Sequence, residues 1–289
     1  MISSTISSDL LERIQRHARA WRLAVEDVFE TETSAIASVT RQGQPLLLKV
    51  VKQQGDEWHS GKVLQAFAGM GVARLYEETD GAVLIERLRP GNSLVSLVLN
   101  GDDEEATTIL ATVMQKMAGA EIPKSCVTAQ DWAKGFDRYL ASCDDQISSQ
   151  LVKSGQRVYT DLCGSQLQVR LLHGDLHHYN VLYDADRGWL AIDPKGVVGE
   201  LEYEVGAALR NPVERPDLFA SASTVKRRLK QFSSILTLDV ERALAWGFAQ
   251  AVLSAVWQVE DGFRVDTTNA ALQLAHVIQP RLRDIGIHV

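Results

Sequence analysis

The sequence predicts an α+β fold in two parts, a small antiparallel sheet followed by a mainly helical remainder. Three observations predict it. Strand-like apolar runs with turn signals crowd the first third of the chain, and helical periodicity fills most of the rest. The breaker cluster Arg89-Pro90-Gly91-Asn92 stands between them, so the expected division is 1–88 and 89–289.

In chain order, Leu10, Ile14, Ala18 and Trp21 recur at helical spacing, with Asp9 as the expected N-cap. Ser34–Arg41 and Leu46–Val51 read as a hairpin around Gln42-Gly43-Gln44-Pro45. A helix from Trp58 should stop near Gly69 and Gly71. Val72–Tyr76 and Ala82–Arg87, joined by Thr79-Asp80-Gly81, complete the order β-β-α-β-β. Beyond the breaker, helices are expected over Ser93–Leu99, Glu104–Met117, Ala129–Cys143, Ser148–Leu162, Val240–Val259 and Thr268–Leu282, with Pro280 limiting the last. One island differs: Val169–Leu172, Val181–Tyr183 and Trp189–Ile192 are short extended runs around polar loops, where chemistry tends to sit.

The 289 residues, 45% of them apolar, suffice to bury a core. A net charge of −7 gives no basic field for DNA or RNA and suits a cationic small molecule better. Cys126, Cys143 and Cys163 are odd in number and lack C-x-x-C spacing, which reads as reduced thiols. With no apolar run of about 18 residues and no leader-like start, the expectation is a soluble, cytoplasmic chain without a membrane partner.

The chemistry concentrates in Leu172-His173-Gly174-Asp175-Leu176-His177-His178-Tyr179-Asn180, an H-x-D-x-x-x-x-N pattern followed by Ala191-Ile192-Asp193-Pro194. A carboxylate at Asp175 can orient an attacking hydroxyl and take its proton. A carboxamide at Asn180 and a second carboxylate at Asp193 can hold magnesium against phosphates. Asp and Asn singly often cap turns, but their joint occurrence at this spacing favours chemistry. His173 is expected to bond the loop backbone and hold Asp175. His177 and His178 lack a third ligand at zinc-like spacing and read as solvated or loop-packing residues. Lys49, alone in the apolar run Pro45–Val51, requires an anionic partner, unless its ammonium snorkels to the surface.

These segments resemble the protein-kinase-like fold, in particular the antibiotic phosphotransferases, whose loop reads H-G-D-x-x-x-x-N and whose metal aspartate sits in I-D. The resemblance implies a bilobal fold that takes ATP and Mg2+. It places Asp175 as base, Asn180 and Asp193 on the metal, and Lys49 on the α- and β-phosphates, paired with a helix glutamate. Glu57 is the choice for that glutamate, with Asp56 as a rival. No G-x-G-x-x-G is present, so small residues around Ser34 are expected to cover the phosphates. The backbone at Glu86 and Leu88 is expected to be the adenine hinge.

Lys195-Gly196-Val197-Val198-Gly199-Glu200-Leu201-Glu202-Tyr203-Glu204, Leu209-Arg210-Asn211-Pro212, Gly71–Leu75 and Leu84–Leu88 narrow the likeness. Together they resemble the streptomycin 6-kinase group of the aminoglycoside/hydroxyurea resistance kinases, roughly from Glu30 to Val265. That implies phosphorylation of a streptidine hydroxyl of streptomycin, an acceptor whose guanidinium groups call for carboxylates. Glu200, Glu202 and Glu204, and Glu260 and Asp261 beside Trp257, are the candidates, weighed against a solvated acidic surface. Extended, the first three share a face; in a helix they diverge.

Overall fold

A computed structural model describes residues 6–142 and 144–289; the first five residues and Cys143 lie outside it, as does the side chain of Asp56, the rival to Glu57. Helix α1 (Ser8–Ala20) buries Leu10, Ile14 and Ala18, and its cap is Ser7, whose hydroxyl accepts from the Leu10 N–H at 3.3 Å. Asp9 sits two residues past the cap and instead places its charge in the first turn, near the positive end of the helix dipole.

The sheet gains a strand over the expected order. β1 (Ala24–Glu30) pairs with β2 (Ser34–Arg41), β2 with β3 (Gln44–Val51), and β4 (Leu75–Thr79) closes the far edge against β5 (Ala82–Glu86), giving the antiparallel order β1-β2-β3-β5-β4. Positive φ at Gln42 (53°) and Gly43 (81°) makes the tight turn between β2 and β3. Strand alternation then sorts β3 by face: Leu46, Leu48 and Val50 join Ile14 of α1 in one buried cluster, and Lys49 points the opposite way. Each such Leu or Ile contributes about 1.5–3 kcal/mol by leaving water.

A single turn at Asp56–His59 leads into α2 (Ser60–Phe67). Instead of beginning a strand at Val72, the chain crosses toward residue 191: the Ala73 N–H donates to the Ala191 carbonyl at 2.9 Å and the Ala191 N–H to Gly71 at 2.8 Å. The breaker cluster forms a short strand, β6 (Pro90–Ser93), in a different sheet. We propose the division of the chain at 88/89 on this change of sheet.

The remainder runs through α3 (Val95–Leu99), α4 (Asp103–Met117), α5 (Ala129–Trp132), α6 (Lys134–Ala141) and α7 (Ser149–Gly164). The single helix expected from Ala129 is thus two, α5 beginning with a capping box between Thr128 and Asp131. Strand β7 (Arg170–Leu172), β8 (Val181–Asp184), β9 (Gly188–Ala191) and β10 (Val197–Gly199) follow; β6, β8 and β9 form one small sheet and β7 pairs with β10. Then come α8 (Leu201–Leu209), α9 (Pro216–Phe219), α10 (Ala222–Leu236), α11 (Val240–Glu260) and α12 (Ala270–Asp284). Pro280 lies inside α12 and does not end it. The largest buried cluster centres on α11, whose Trp246, Phe248 and Val252 are fully enclosed. This packed body carries the β7–α8 loops.

Candidate active site

The loop after β7 is fixed from three sides. Glu204 on α8 accepts the His173 N–H at 2.6 Å and the Gly174 N–H at 3.0 Å. The His173 carbonyl receives the Lys195 and Gly196 N–H groups at 2.9 and 3.0 Å. The His173 ring spans the loop: Nε2 meets the Ile192 carbonyl at 2.8 Å, and Nδ1 accepts the Asp175 N–H at 3.3 Å. Burial pushes its pKa down to about 4, so the ring is neutral near pH 7 and acts as a brace.

Asp175 is thereby presented with 29% of its side chain exposed, 3.2 Å from Arg210 and 3.5 Å from His177. Burial works to raise its pKa, but the His177 hydrogen bond and the charges of His177, Arg210 and His173 hold it well below the usual carboxylate range. Asn180 ties its amide nitrogen to the Asp175 carbonyl at 3.0 Å, leaving the carboxamide oxygen as the end not bound to this loop. Asp193 follows β9 with φ 58°, and its carboxylate pairs with the Lys49 ammonium.

Lys49 also meets Glu57 at 2.8 Å. Glu57 in turn receives Lys195. Burial would raise the Glu57 pKa, but the two lysine charges and their hydrogen bonds bring it to about 2. Lys195 is likewise opposed by burial, and the carboxylates of Asp193, Glu57 and Asp175 raise its pKa above the lysine norm. The metal expectation fits this donor set. One carboxylate and one amide oxygen suit magnesium, which keeps several waters and relies on phosphate oxygens. No group of three or more His, Cys, Asp or Glu side chains able to hold a metal occurs among the described residues.

On the other side of Asp175 opens a cavity of about 620 Å³ walled by His177, Lys195, Arg210, Trp257, Glu260 and Asp261, among others. Trp257 stacks edge-on against Trp132, ring centres 5.6 Å apart. Glu260 forms a forked pair with Arg138, both contacts at 2.8 Å. A larger cavity of about 690 Å³ between α10, α11 and α12 contains none of the loop residues, so chemistry rather than size locates the site.

Several expectations need correction. Ser34 is wholly buried, its hydroxyl 3.3 Å from Glu57 and its N–H held by Thr31, so it supports Glu57 instead of covering a phosphate. The acidic triplet does not line the cavity, because α8 starts at Leu201 and helical rotation sends its residues apart. Glu200 is buried against Arg242 and the Trp246 indole, Glu202 accepts the Asp239 N–H at 3.2 Å, and Glu204 clamps the loop. His178 is fully buried, which is the loop-packing alternative and not the solvated one. The Glu86 N–H donates to the Arg74 carbonyl at 2.8 Å and its carboxylate receives Arg187, while the Leu88 side chain packs with Ala73 and Leu190. Lys195 and Arg210 carried no assigned role in the sequence. The signal that singled out Lys49, a charge among apolar neighbours, also marks Lys195 before Val197-Val198 and Arg210 after Val205–Leu209.

Gly196 sets how closely the loop after β9 approaches α2: at φ 77°, an added Cβ would lie 2.4 Å from Val63. Gly196→Ala is expected to lose about 2 kcal/mol of stability in urea unfolding; an unchanged midpoint would show that the loop gives way freely.

Fold and loops together define a phosphotransferase of the protein-kinase-like class. The sequence model described as aminoglycoside/hydroxyurea antibiotic resistance kinase matches residues 21–262, and the chain belongs to that family. It is 31% identical to the streptomycin 3''-kinase of Klebsiella pneumoniae over 84% of this chain and 91% of that protein. It is also 31% identical to the streptomycin 6-kinase of Streptomyces griseus, covering 80% and 76%. Among solved structures, a thermostable variant of aminoglycoside phosphotransferase APH(4)-Ia, in ternary complex with ADP and hygromycin B, superposes with a TM-score of 0.68 at 16% identity. The match covers 98% of this chain and 100% of that one, a likeness of fold. No helix among the described residues is long and apolar enough to cross a membrane.

Proposed function

We propose that the chain transfers the γ-phosphoryl group of MgATP to a hydroxyl of an aminoglycoside, with position 6 of streptomycin as the leading acceptor, and so confers resistance. The observation that carries this reading is the position of Asp175. It stands between the Lys49–Glu57–Asp193 cluster and a cavity rimmed by Trp257, Glu260 and Asp261.

Lys49 would contact the α- and β-phosphates while Glu57 keeps its ammonium in place. The Leu88 main chain and the Glu86 carbonyl would receive adenine, because the Glu86 N–H is taken by the Arg74 carbonyl. Asn180 and Asp193 would hold magnesium, which when bound supplies charge neutralisation on the phosphates. Asp175 would accept a hydrogen bond from the acceptor hydroxyl and take its proton late. A weakly basic carboxylate suffices, because phosphoryl transfer runs through a loose transition state in which positioning matters most. Trp257, Glu260 and Asp261 would meet the cationic face of the acceptor. Such a protein would work in the cytoplasm, where MgATP is abundant, and its acidic charge offers nucleic acid no footing.

The 3''- and 6-kinases stand at equal identity to this chain, which gives position 3'' the place of second reading. The deciding experiment incubates purified chain with MgATP and, separately, streptomycin, hygromycin B and hydroxyurea. Mass and phosphorus NMR spectra of the products are then recorded. A phosphate on the 6-hydroxyl of streptomycin is expected. Phosphate at 3'' moves the acceptor position, and phosphate on hydroxyurea alone removes the aminoglycoside reading.

A further inference from the structure

We infer that Lys195 is a catalytic residue, the cation that contacts the transferring phosphoryl group from the acceptor side. The inference rests on the phosphotransferase reading above and adds to it a residue to which that reading gives no role.

The placement of Lys195 is the argument. Its backbone N–H donates to the His173 carbonyl at 2.9 Å, which locks the residue to the loop that presents Asp175. Its side chain forms part of the acceptor cavity wall together with Asp175 and Gly174, yet its ammonium reaches across to Glu57, the partner of Lys49. Lys195 therefore spans from the acceptor side to the nucleotide side. A quarter of its side chain, 24%, remains exposed, so the ammonium can leave Glu57 without unpacking a core.

Glu57 has partners besides Lys195. Lys49 at 2.8 Å, the Ser34 hydroxyl at 3.3 Å and the Thr33 hydroxyl at 3.3 Å already satisfy it. A second lysine on a carboxylate that has its partner is a cation in reserve. In transfer, the bond between the γ-phosphorus and the β,γ-bridging oxygen breaks as the acceptor hydroxyl oxygen bonds to that phosphorus. The hydroxyl proton passes to Asp175, and ADP departs with the electron pair of the bridging oxygen. Charge spreads over the equatorial phosphoryl oxygens during this exchange, and a cation aimed at them stabilises the transition state more than either ground state. Lys49 faces the nucleotide side and Arg210 is committed to Asp175, which leaves Lys195 for those oxygens.

The test compares Lys195→Met, Lys195→Gln and Lys195→Arg with the parent chain. The substrates are MgATP and streptomycin, or whichever acceptor of the panel the parent phosphorylates. The neutral variants are expected to lose about 10²–10³-fold in kcat. Their KM values and calorimetric ATP affinity should stay within about threefold of the parent, and the Arg variant should recover part of the rate. Two neutral substitutions guard against one of them failing to fold, which the thermal midpoint reports. A raised KM for ATP with kcat retained would make Lys195 an anchor for Glu57 and overturn the inference. A parent chain inactive on every acceptor overturns the underlying reading itself.

Discussion

Asp175→Asn is expected to lower kcat by about 10²–10⁴-fold, the range over which a positioned proton acceptor contributes, while ATP binding stays close to that of the parent. The substitution keeps the shape of the side chain and removes its capacity to accept a proton. Neighbouring groups tolerate the change: Arg210 retains Gln250 at 3.3 Å, and the Glu204 and His173 contacts that shape the loop do not involve the Asp175 carboxylate. Lys49, Glu57 and Asp193 stay as they are, so calorimetric titration with MgATP should report an unchanged site. Steady-state turnover within tenfold of the parent would remove Asp175 from the proton's path.

The second large effect concerns stability. Glu204→Leu should destabilise the fold by about 3–5 kcal/mol in denaturant titration, because the His173 and Gly174 N–H groups lose their acceptor inside the protein, at about 1–3 kcal/mol each. A pH signature accompanies it. Burial raises the Glu204 pKa from 4.5 to about 7, outweighing the backbone N–H groups of Gly174, His173 and Leu176 that favour the anion. A raised folded-state pKa means that the contribution to stability is complete below pH 4.5 and fades as pH rises through about 7. Relative to Glu204→Gln, which cannot titrate, the parent should therefore lose on the order of 3 kcal/mol across that window. A difference that stays flat with pH would show that Glu204 remains ionised throughout.

What the sequence made legible follows the range of the physics involved. Strand alternation and a two-residue turn are local, so the β2–β3 hairpin and the orientation of Lys49 could be read directly. The same holds for α11, expected over Val240–Val259 and found over Val240–Glu260. The spacing of Asp175, Asn180 and Asp193 is also local, and the structure brings them to one pair of adjoining loops. β1 escaped notice because it is an edge strand with three acidic residues and no apolar alternation. The errors at Ser34, Glu200 and Glu204 share one origin: a polar side chain's partner is set by tertiary contacts. Glu204 meets a loop 30 residues upstream, and Lys195 meets Glu57 across 138 positions. No window of sequence contains both halves of such a pair.

The left-handed backbone at Asp193 has a practical bearing on how this loop can be dissected. An L-residue with φ 58° is strained by about 1–2 kcal/mol unless its side chain tolerates that region, as Asp and Asn do better than most. Alanine at 193 would therefore perturb chain path and charge together, and any lost activity would have two causes. Asparagine preserves the path and withdraws only the anion. At this position the conservative substitution is the more informative one, because it isolates the electrostatic variable from the conformational one.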